Sequence, residues 1–319
     1  MPTKRFLIVR EGAPDESLRG AVVAIGNFDG VHRGHKAVIA VALDRARRLD
    51  RAAAALTFEP HPRVYFNPHE PLFRLTDAPT KLRLLASTGL DGAIVLSFDA
   101  ALAKLTAHEF VRRILVERFA VSGVAIGFNF HFGMSRAGSP DFLVAEGKKC
   151  GFAVDIVPRY EYNGRPIASG PIRGALAAGR VDEAAEFLGF PWFVTAQVIR
   201  GDRRGRELGF PTANLRLDAS CRLRHGIYAV RAGIGERRYG GVASFGRRPM
   251  FDTGAVLLEV FLFDFAGDLY GMSIDVAFIA WLREEAAFDS VDDLVRQMEK
   301  DARLAREELA QAGDVFPPV

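Results

Sequence analysis

The sequence predicts two domains: a doubly wound, Rossmann-like α/β domain, followed by a small antiparallel six-stranded β-barrel with a C-terminal helix. The chain has 319 residues, about twice the length of a typical domain. Strand-like and helix-like segments alternate in the first half, which is typical of a parallel sheet. In the second half strand-like segments follow one another without helices, as in a barrel. The pattern changes at Gly189-Phe190-Pro191-Trp192, which gives predicted domains of residues 1–188 and 189–319.

Short apolar segments separated by helical ones define the predicted α/β domain. Ala21–Ile25 is apolar throughout, as expected of a strand buried on both faces of a parallel sheet. Apolar residues then recur at helical spacing over Lys36–Leu49, with charged residues between them. The predicted strands are Ala21–Ile25, Ala53–Phe58, Gly92–Ser97, Val121–Gly127 and Ala153–Val157, and the predicted helices are Lys36–Leu49, Thr80–Ser87, Ala107–Phe119, Pro140–Lys149, Ile172–Ala178 and Val181–Leu188.

Turn signals divide the second half into short β segments. Gly201-Asp202 and Gly267-Asp268 are two of these turns. The six predicted strands are Phe193–Ile199, Thr212–Leu217, Ile227–Ala232, Arg238–Ser244, Val256–Phe263 and Ser273–Leu282. A final amphipathic helix is predicted after Asp289, where Ser290 and Asp293 have the spacing of a capping box.

The composition is that of an ordinary globular protein and narrows the classes of ligand. Hydrophobic residues make up 49% and charged residues 25% of the chain, which excludes a disordered protein. The net charge is +3 and the arginines are spread along the chain, which suits small ligands that carry phosphate. A nucleic-acid-binding protein would need a denser basic patch, so we expect no nucleic-acid partner.

Cysteine content and hydropathy predict a cytoplasmic protein. Cys150 and Cys221 are too few for a disulfide framework and have no metal-ligand spacing, which favours a reducing compartment. The N-terminal segment lacks the apolar core of a signal peptide, and no apolar run is long enough to cross a bilayer. We therefore expect a soluble protein without a membrane partner. Its oligomeric state stays open, with a weak homo-oligomer as one alternative.

The most informative segment joins the first predicted strand to the first predicted helix, and reads Gly26-Asn27-Phe28-Asp29-Gly30-Val31-His32-Arg33-Gly34-His35. Glycines at 26, 30 and 34 allow the backbone to approach a ligand, and the helix start offers N–H groups and the positive end of its dipole to phosphate. One helical turn can direct both His32 and His35 at the same anion. A His-x-Gly-His turn suits nucleotidyl transfer, in which donors stabilise charge on the α-phosphate and the leaving pyrophosphate. The alternative is two histidines that cap a surface helix.

Two other segments of the first half follow predicted strands and end in turns. In Thr57-Phe58-Glu59-Pro60-His61-Pro62, the prolines fix the backbone on both sides of His61. The segment Gly127–Gly133 offers Asn129 as a hydrogen-bonding side chain. A surface turn in the first case, and phenylalanines that pack a loop in the second, are the alternatives. Because ligands bind at the carboxyl ends of parallel strands, we expect both segments to lie beside the histidine turn.

A basic, glycine-rich loop followed by a strand marks the second half. It reads Gly201-Asp202-Arg203-Arg204-Gly205-Arg206-Glu207-Leu208-Gly209-Phe210-Pro211-Thr212-Ala213-Asn214-Leu215. The loop is able to wrap a triphosphate with backbone amides. Thr212 and Asn214 point to one face of the strand, and their oxygens are hard ligands suited to Mg²⁺ carried by a nucleotide. The alternative is that both residues only begin a strand.

Glu259 is the one charged residue of the apolar segment Val256–Phe263. A lone carboxylate in such a strand is costly unless it faces a polar site. We therefore predict that Glu259 is the general base for a hydroxyl nucleophile. An exposed edge position is the alternative.

Five segments together resemble the bacterial bifunctional riboflavin kinase/FAD synthetase (FMN adenylyltransferase) family. They are Gly26–His35, Thr57–Pro62, Gly127–Gly133, Gly205–Leu215, and Leu282-Arg283 with Phe288-Asp289-Ser290-Val291. They occur in the domain order of that family and cover nearly the whole chain. The His-x-Gly-His and Gly-Phe-Pro-Thr-Ala-Asn motifs are specific in combination.

For the first domain, the resemblance implies a nucleotidyltransferase fold that converts FMN and ATP into FAD and pyrophosphate. His32 and His35 would be the catalytic residues. The residues implied to bind ATP are Gly26, Phe28, Asp29, Gly30, His32, Gly34, His35, Asn129, Ser169 and Arg173. FMN phosphate would be the nucleophile, and because it is already anionic, positioning should matter more than base catalysis.

For the second domain, the resemblance implies a riboflavin kinase that uses ATP as co-substrate and Mg²⁺ as cofactor. Glu259 would activate the terminal ribityl hydroxyl for attack on the γ-phosphate. The implied ATP-binding residues are Gly205, Arg206, Gly209, Phe210, Pro211 and Thr212, the metal ligands are Thr212 and Asn214, and the flavin-binding residues of the two modules are His61, Pro62, Glu259 and Arg283. The small-molecule partners would be riboflavin, FMN, FAD and ATP.

Three segments depart from the pattern of the family: Ala168–Arg173, His131 where arginine is common, and Met250 where threonine is common. Where the family usually carries Ser-Ser-Thr-x-Ile-Arg, this chain has Ala168-Ser169-Gly170-Pro171-Ile172-Arg173. With glycine at the threonine position, we expect FMN adenylylation to be retained but slow. Two alternatives stay open: a riboflavin kinase whose first module is weakened or inactive, and a non-catalytic regulator that binds flavin or nucleotide.

Overall fold

The chain divides into two units. The structure is a computed structural model that describes residues 5–10, 16–200, 209–247 and 256–319. One unit contains the chain up to Leu72 together with Thr76–Ala168, and the other contains Phe73–Leu75 and Ser169–Pro318.

The first unit is built on a parallel sheet, as predicted. Its strands are β1 (Leu7–Arg10), β2 (Val22–Ile25), β3 (Ala53–Glu59), β4 (Gly92–Ser97), β5 (Gly123–Gly127) and β6 (Ala153–Val157). Their order is β1-β4-β3-β2-β5-β6, and all neighbouring pairs are parallel. The sequence did not predict β1. The continuous apolar run Phe6–Val9 was the signal for it. As an edge strand, β1 buries Val9 but leaves Ile8 exposed.

Helices cover the sheet of the first unit. They are α1 (Arg33–Leu49), α2 (Pro62–Phe66), α3 (Ala78–Ala86), α4 (Ala100–Ala103), α5 (Ala107–Glu109), which continues as a π-helical segment over Phe110–Arg118, and α6 (Pro140–Cys150). A short hairpin of β7 (Glu161–Tyr162) and β8 (Arg165–Pro166) follows β6. The buried core joins sheet residues such as Ile25, Leu56 and Ile126 to Val111 and Leu115 of the π-helical segment.

The second unit contains two helices and a closed barrel. The helices are α7 (Ser169–Ala177) and α8 (Val181–Leu188), and the strands are β9 (Phe193–Ile199), β10 (Thr212–Leu217), β11 (Gly226–Ile234), β12 (Arg237–Arg247), β13 (Val256–Leu262) and β14 (Ser273–Arg283). The order β10-β13-β12-β11-β14-β9 closes on itself, and all its pairs are antiparallel. The predicted six-stranded antiparallel barrel is thus confirmed. Because α7 packs on α8 and α8 on β14, contacts group both helices with the barrel.

Alternation along β13 separates the interior of the barrel from its outer face. Val256, Leu258 and Val260 are fully buried, whereas the residues between them are partly exposed. The side chains of Tyr228 and Phe278, from β11 and β14, fill the interior with an edge-to-face contact at 5.2 Å between ring centroids. Glu259 therefore lies on the face that points away from the barrel core.

The last helix, α9 (Val291–Gln311), packs on the outer face of the barrel. Ser290 caps it and accepts a hydrogen bond from the Asp293 backbone N–H, at the predicted spacing. Ala305 and Leu309 of α9 contact a small apolar cluster on the strands. In the described part of the chain, no helix combines the length and the apolar character that a bilayer span requires.

Candidate active sites

The loop between β2 and α1 has a strained backbone. Phe28 and Val31 have positive φ angles of 52° and 41°, and Gly30 has 83°. The left-handed region costs a residue with a Cβ about 1–3 kcal/mol. Both Phe28 and Val31 are buried, so core packing compensates for the strain and fixes the course of the loop. Such strain is common where a backbone is shaped around a ligand.

A buried carboxylate fixes the same loop. The Asp29 carboxylate accepts a hydrogen bond from the Thr76 backbone N–H at 3.1 Å, and the Thr76 hydroxyl accepts one from the Gly30 N–H at 3.1 Å. Thr76 lies just before α3 and was not singled out in the sequence. Asp29, which the resemblance assigns to ATP binding, thus holds the loop in shape in this structure.

The two histidines of the loop come together at the start of α1. Their rings stack with centroids 3.6 Å apart and an angle of 14° between the planes. His32 is the N-cap of α1, and its Nδ1 accepts a hydrogen bond from the His35 backbone N–H at 3.2 Å. The Phe28 ring contacts the His35 ring edge-on, with centroids 5.2 Å apart. This aromatic stack orients both imidazoles as a unit.

The surroundings of His35 favour the neutral form of its imidazole. Burial, followed by the charges of His32 and Lys81, holds its pKa well below the usual value of 6.5. A neutral imidazole has one N–H donor and one acceptor nitrogen. The buried Nδ1 atom of His35 has no hydrogen-bond partner among the described residues. Because such atoms are rare in native proteins, a bound ligand is the simplest way to satisfy it.

The first turn of α1 is rich in positive charge. It carries Arg33 and Lys36 and no acidic residue, although cations at a helix N-terminus are normally unfavourable. The Arg33 guanidinium lies over the Tyr162 ring of the β7–β8 hairpin, 4.6 Å from its centroid. Burial, and then the charge of Arg33, lowers the pKa of Lys36. The concentration of positive potential favours an anion at this position.

Packing within the loop itself favours glycine at two positions, because a Cβ there would make tighter contacts than side chains normally make. A Cβ on Gly26 would lie 3.3 Å from the Phe28 ring, and a Cβ on Gly34 would lie 3.2 Å from the His32 ring and 3.5 Å from the Ile167 carbonyl oxygen. The sequence predicted close approach of these glycines to a ligand. In the structure these two glycines allow the Phe28 and His32 rings to lie close to the backbone of the loop.

For the adenylyl transfer that the resemblance implies, we expect Gly34→Ala to lower the rate by about 2- to 10-fold. The added methyl group shifts the His32 ring by only a few tenths of an ångström, less than the misplacement of about 1 Å that costs about 100-fold. The rate of FAD formation from FMN and ATP measures the effect. Gly174→Ala on α7 is the matched control, because a Cβ there meets no atom within 4 Å. Equal rates for both variants and the wild type would contradict the role given to this packing.

The turn after β3 lies beside an exposed aromatic cluster. His61 caps α2 by accepting a hydrogen bond from the Arg63 N–H at 3.1 Å, and Pro62 is the first helical residue. The rings of Tyr65, Phe66 and Phe98 contact one another edge-on at 5.3–5.6 Å between centroids. Phe66 is 61% exposed. The sequence reasoning did not identify this cluster, although the run Val64-Tyr65-Phe66 directly after Pro62 was a signal.

Three predicted segments meet at one edge of the sheet. The strands β3, β2 and β5 are neighbours, and all run in the same direction, so the segments that follow them lie at the same edge. These segments contain His61 and Pro62, the histidine stack, and Asn129, respectively. Asn129 and Phe128 are exposed and accessible to a ligand.

Ser169 and Arg173 belong to the second unit. Ser169 begins α7, and Arg173 lies one turn further along it. The Arg173 Nε donates a hydrogen bond to the Phe73 carbonyl oxygen at 2.6 Å, also within that unit. Their assignment to ATP binding stays a prediction from the resemblance.

The predicted kinase residues form a row on the outer face of the barrel. Asn214 of β10 lies opposite Glu259 of β13, and Ser244 of β12 lies opposite Glu259 on its other side. Directly opposite residues have Cβ atoms about 4.5–5.5 Å apart. Asn214 is 6% exposed, and Glu259 and Thr212 are partly exposed. Ser244 is a member of the row that sequence reasoning missed, because register cannot be deduced from a single strand.

Part of the predicted nucleotide loop is described. Gly209 has a φ of 84° and precedes Phe210, whose ring contacts Phe261 edge-on at 5.0 Å between centroids. Pro211 is exposed just before β10. Gly205 and Arg206 lie outside the described residues.

Arg283, predicted to border the flavin, connects β14 to α9. Its Nε lies 2.9 Å from Asp301 Oδ1 and its Nη2 lies 2.6 Å from Asp301 Oδ2. Asp301 is buried and also accepts a hydrogen bond from the Gln297 amide at 2.8 Å. In this structure Arg283 therefore fixes α9 against the end of β14.

Two family models match this chain, and each match contains one of the two candidate sites. Residues 15–171 match the FAD synthetase family, and residues 188–309 match the riboflavin kinase family. The first match contains the histidine stack, and the second contains the row on the barrel.

Curated relatives and a solved structure match nearly the whole chain. The bifunctional riboflavin kinase/FMN adenylyltransferase of Pseudomonas fluorescens is 40% identical over 90% of this chain and 93% of its own length. The protein of the same name from Escherichia coli K12 is 39% identical over 92% of this chain and 94% of its own length. A structure titled as a macrolide-efflux protein from Streptococcus pneumoniae superposes with a TM-score of 0.82 at 31% identity, over 94% of this chain and 98% of that one. The chain therefore belongs to the family of bifunctional riboflavin kinase/FMN adenylyltransferases.

Proposed function

We propose that this protein phosphorylates riboflavin to FMN and then adenylylates FMN to FAD, with ATP as the second substrate of both reactions. The observation that carries the proposal is that both sites are built within a single chain. The stacked histidines lie at the carboxyl edge of the parallel sheet, and Glu259 lies opposite Asn214 on the barrel.

In the adenylyl-transfer step, a phosphate oxygen of FMN attacks the α-phosphorus of ATP. The bond from the α-phosphorus to the bridging oxygen breaks, and pyrophosphate leaves. His32, His35 and the cationic first turn of α1 stabilise the charge that develops on the phosphates. No general base is needed, because the attacking oxygen is already ionised.

The flavin of the adenylyl-transfer step binds beside the turn after β3. Tyr65, Phe66 and Phe98 offer aromatic faces and edges on which a planar ring system stacks. His61 and Pro62 set the direction in which α2 presents two of these rings. The exposure of Phe66 within this cluster supports the assignment, since contiguous exposed apolar side chains commonly mark a binding site.

In the kinase step, the Glu259 carboxylate accepts the proton of the terminal ribityl hydroxyl. The hydroxyl oxygen then attacks the γ-phosphorus of ATP, and ADP leaves. The outer, partly exposed position of Glu259 makes its carboxylate accessible to riboflavin.

The donors beside Glu259 fit a magnesium ion that arrives with ATP. Asn214 donates a long hydrogen bond of 3.5 Å from its Nδ2 to the Thr212 carbonyl oxygen, which leaves the amide oxygen available. The described residues contain no group of three His, Cys, Asp or Glu side chains that could hold a metal. Mg²⁺ is often held by one or two protein oxygens with phosphates and water, and Thr212 and Asn214 would be those ligands here. When bound, the ion neutralises phosphate charge.

A second candidate function is a riboflavin kinase with a weak adenylyltransferase module. The observation that favours it is Gly170 at the usual threonine position. A Cβ added to Gly170 meets no atom within 4 Å, so there is open space for the first side-chain atom of the threonine that the substitution restores.

We expect Gly170→Thr to raise the rate of FAD formation about 10-fold, the value of one hydrogen bond to a charged group of about 1.5 kcal/mol. Gly170→Val is the matched control, because it has the shape of threonine without the hydroxyl. Steady-state rates with saturating FMN measure both. An equal gain with valine would show that the hydroxyl makes no contact with the nucleotide.

A time course of riboflavin, FMN and FAD tests the proposed function. The chain is incubated with riboflavin, ATP and Mg²⁺, and the three flavins are separated by chromatography. FMN is expected first and FAD second, and a chelator of Mg²⁺ should stop FMN formation. FMN without FAD, also when FMN is supplied, would favour the kinase alone, and no product at all would favour a binding protein.

The two cysteines are compatible with the reducing cytoplasm that we propose as the location. Both are unpaired. Burial raises the pKa of the Cys221 thiol to about 11, which makes it unreactive.

A further inference from the structure

Lys81 is a buried lysine that the two reactions described above do not use. It lies on α3 and is 1% exposed. Its ammonium forms an ion pair with the Glu59 carboxylate at 2.6 Å. A buried lysine is unusual and is normally paired, as it is here. A replacement of the pair by apolar residues is often neutral for stability, so stability alone is a weak reason for its presence.

The contacts of Lys81 join the two segments that carry the substrates of adenylyl transfer. Its Nζ donates hydrogen bonds to the Asn27 carbonyl oxygen at 3.4 Å, to the Thr57 hydroxyl at 3.2 Å and to the Phe58 carbonyl oxygen at 3.2 Å. Asn27 belongs to the loop with the histidine stack, and Phe58 and Glu59 end β3 just before the His61–Pro62 turn. The Thr57 hydroxyl also donates to the Asn27 carbonyl oxygen at 3.2 Å. One ammonium group thus connects the nucleotide side and the flavin side.

The charge of Lys81 also acts on the histidine stack. It contributes, after burial and His32, to the lowered pKa of His35. The ammonium therefore helps to keep that imidazole neutral, so the same group affects both the geometry and the charge of the site.

We propose that Lys81 is a positioning residue for adenylyl transfer, which fixes the distance between the α-phosphate of ATP and the phosphate of FMN by holding the ends of β2 and β3 together. This rests on the proposed FMN adenylylation. Lys81 touches neither substrate in this account. Its loss therefore lowers the rate of the bound complex more than the affinity for ATP, because effective molarity depends on alignment.

The test compares Lys81→Met with the wild-type chain in FAD formation from FMN and ATP. We expect kcat to fall about 100-fold, the size of effect that a misplacement of about 1 Å has, while the KM for ATP changes less than about threefold. A purely structural loss of the loop would raise this KM as well. Lys104→Met makes the same change at an exposed lysine of the same unit and should leave both constants unchanged. Riboflavin phosphorylation by the same samples reports the integrity of the barrel.

Two further variants decide the question if Lys81→Met does not fold. The double variant Lys81→Met/Glu59→Gln removes both charges, and Thr57→Val removes one hydrogen bond of Lys81 with little change in shape. We expect a low kcat in the double variant, and a kcat about 10-fold lower in Thr57→Val. A wild-type kcat in any folded variant of these three overturns the inference alone. Failure of the wild-type chain to form FAD overturns the proposed adenylyl transfer and this inference with it.

Discussion

Glu259→Gln is expected to lower the rate of riboflavin phosphorylation by about 10²- to 10⁴-fold, the usual contribution of a general base. The glutamine keeps the size of the side chain and its place opposite Asn214, but it cannot accept the hydroxyl proton. The measurement is FMN formation from riboflavin and ATP under saturating conditions.

The control for Glu259→Gln lies within the same chain. Adenylylation of supplied FMN should be unchanged, since His32 and His35 belong to the other unit. Glu307→Gln makes the same change at an exposed position of α9 and should leave both reactions intact. A Glu259→Gln variant that keeps more than about a tenth of the kinase rate would be incompatible with a general base, whose loss costs at least about 10²-fold.

His35→Phe is expected to lower FAD formation by about 10²- to 10³-fold, as does the loss of one donor to a developing negative charge. Phenylalanine preserves an aromatic ring between His32 and Phe28, so the stack is kept while both ring nitrogens are removed. The rate of pyrophosphate release from ATP in the presence of FMN measures the effect.

Controls separate the chemistry of His35 from the packing of the loop. His69→Phe, at an exposed histidine of the same unit, should have no effect on either reaction. Because the histidines act as one stack, the double variant His32→Ala/His35→Phe should lose less than the sum of the single losses in free energy. Full additivity would mean that the two rings act independently.

The periodicity of apolar residues predicted several helices and strands at the correct positions, because burial of apolar side chains produces that periodicity. The strands β4 and β6 and the helix α8 begin and end at the predicted residues, since each is delimited by turn residues. In addition, β4 is buried along almost its whole length and α8 along one face. The helix predicted over Ala107–Phe119 is π-helical over most of its length. Its apolar positions still face the core. The sequence therefore predicted a helix correctly but did not predict that its hydrogen bonds are of the π-helical type.

Contacts between distant segments could not be predicted in the same way. Lys81 occurs in the run Thr80-Lys81-Leu82-Arg83, and nothing in that run distinguishes it from Arg83, the other cation. Only the parallel pairing of β3 beside β2 brings Asn27 and Phe58 within its reach. Thr76 and Ser244 were missed for the same reason, since their partners are fixed by topology and register.

The face on which Glu259 lies has a consequence for how this barrel can change over evolutionary time. Interior positions of β13, such as Leu258, determine how well the barrel packs, and one of the alternate positions holds Glu259, the proposed general base. Homologues adapted to heat or cold are therefore free to vary the former without disturbing the latter. Substitutions that change the thermal stability of the kinase module and substitutions that change its turnover should therefore occur at different positions, which alternate along the same strand.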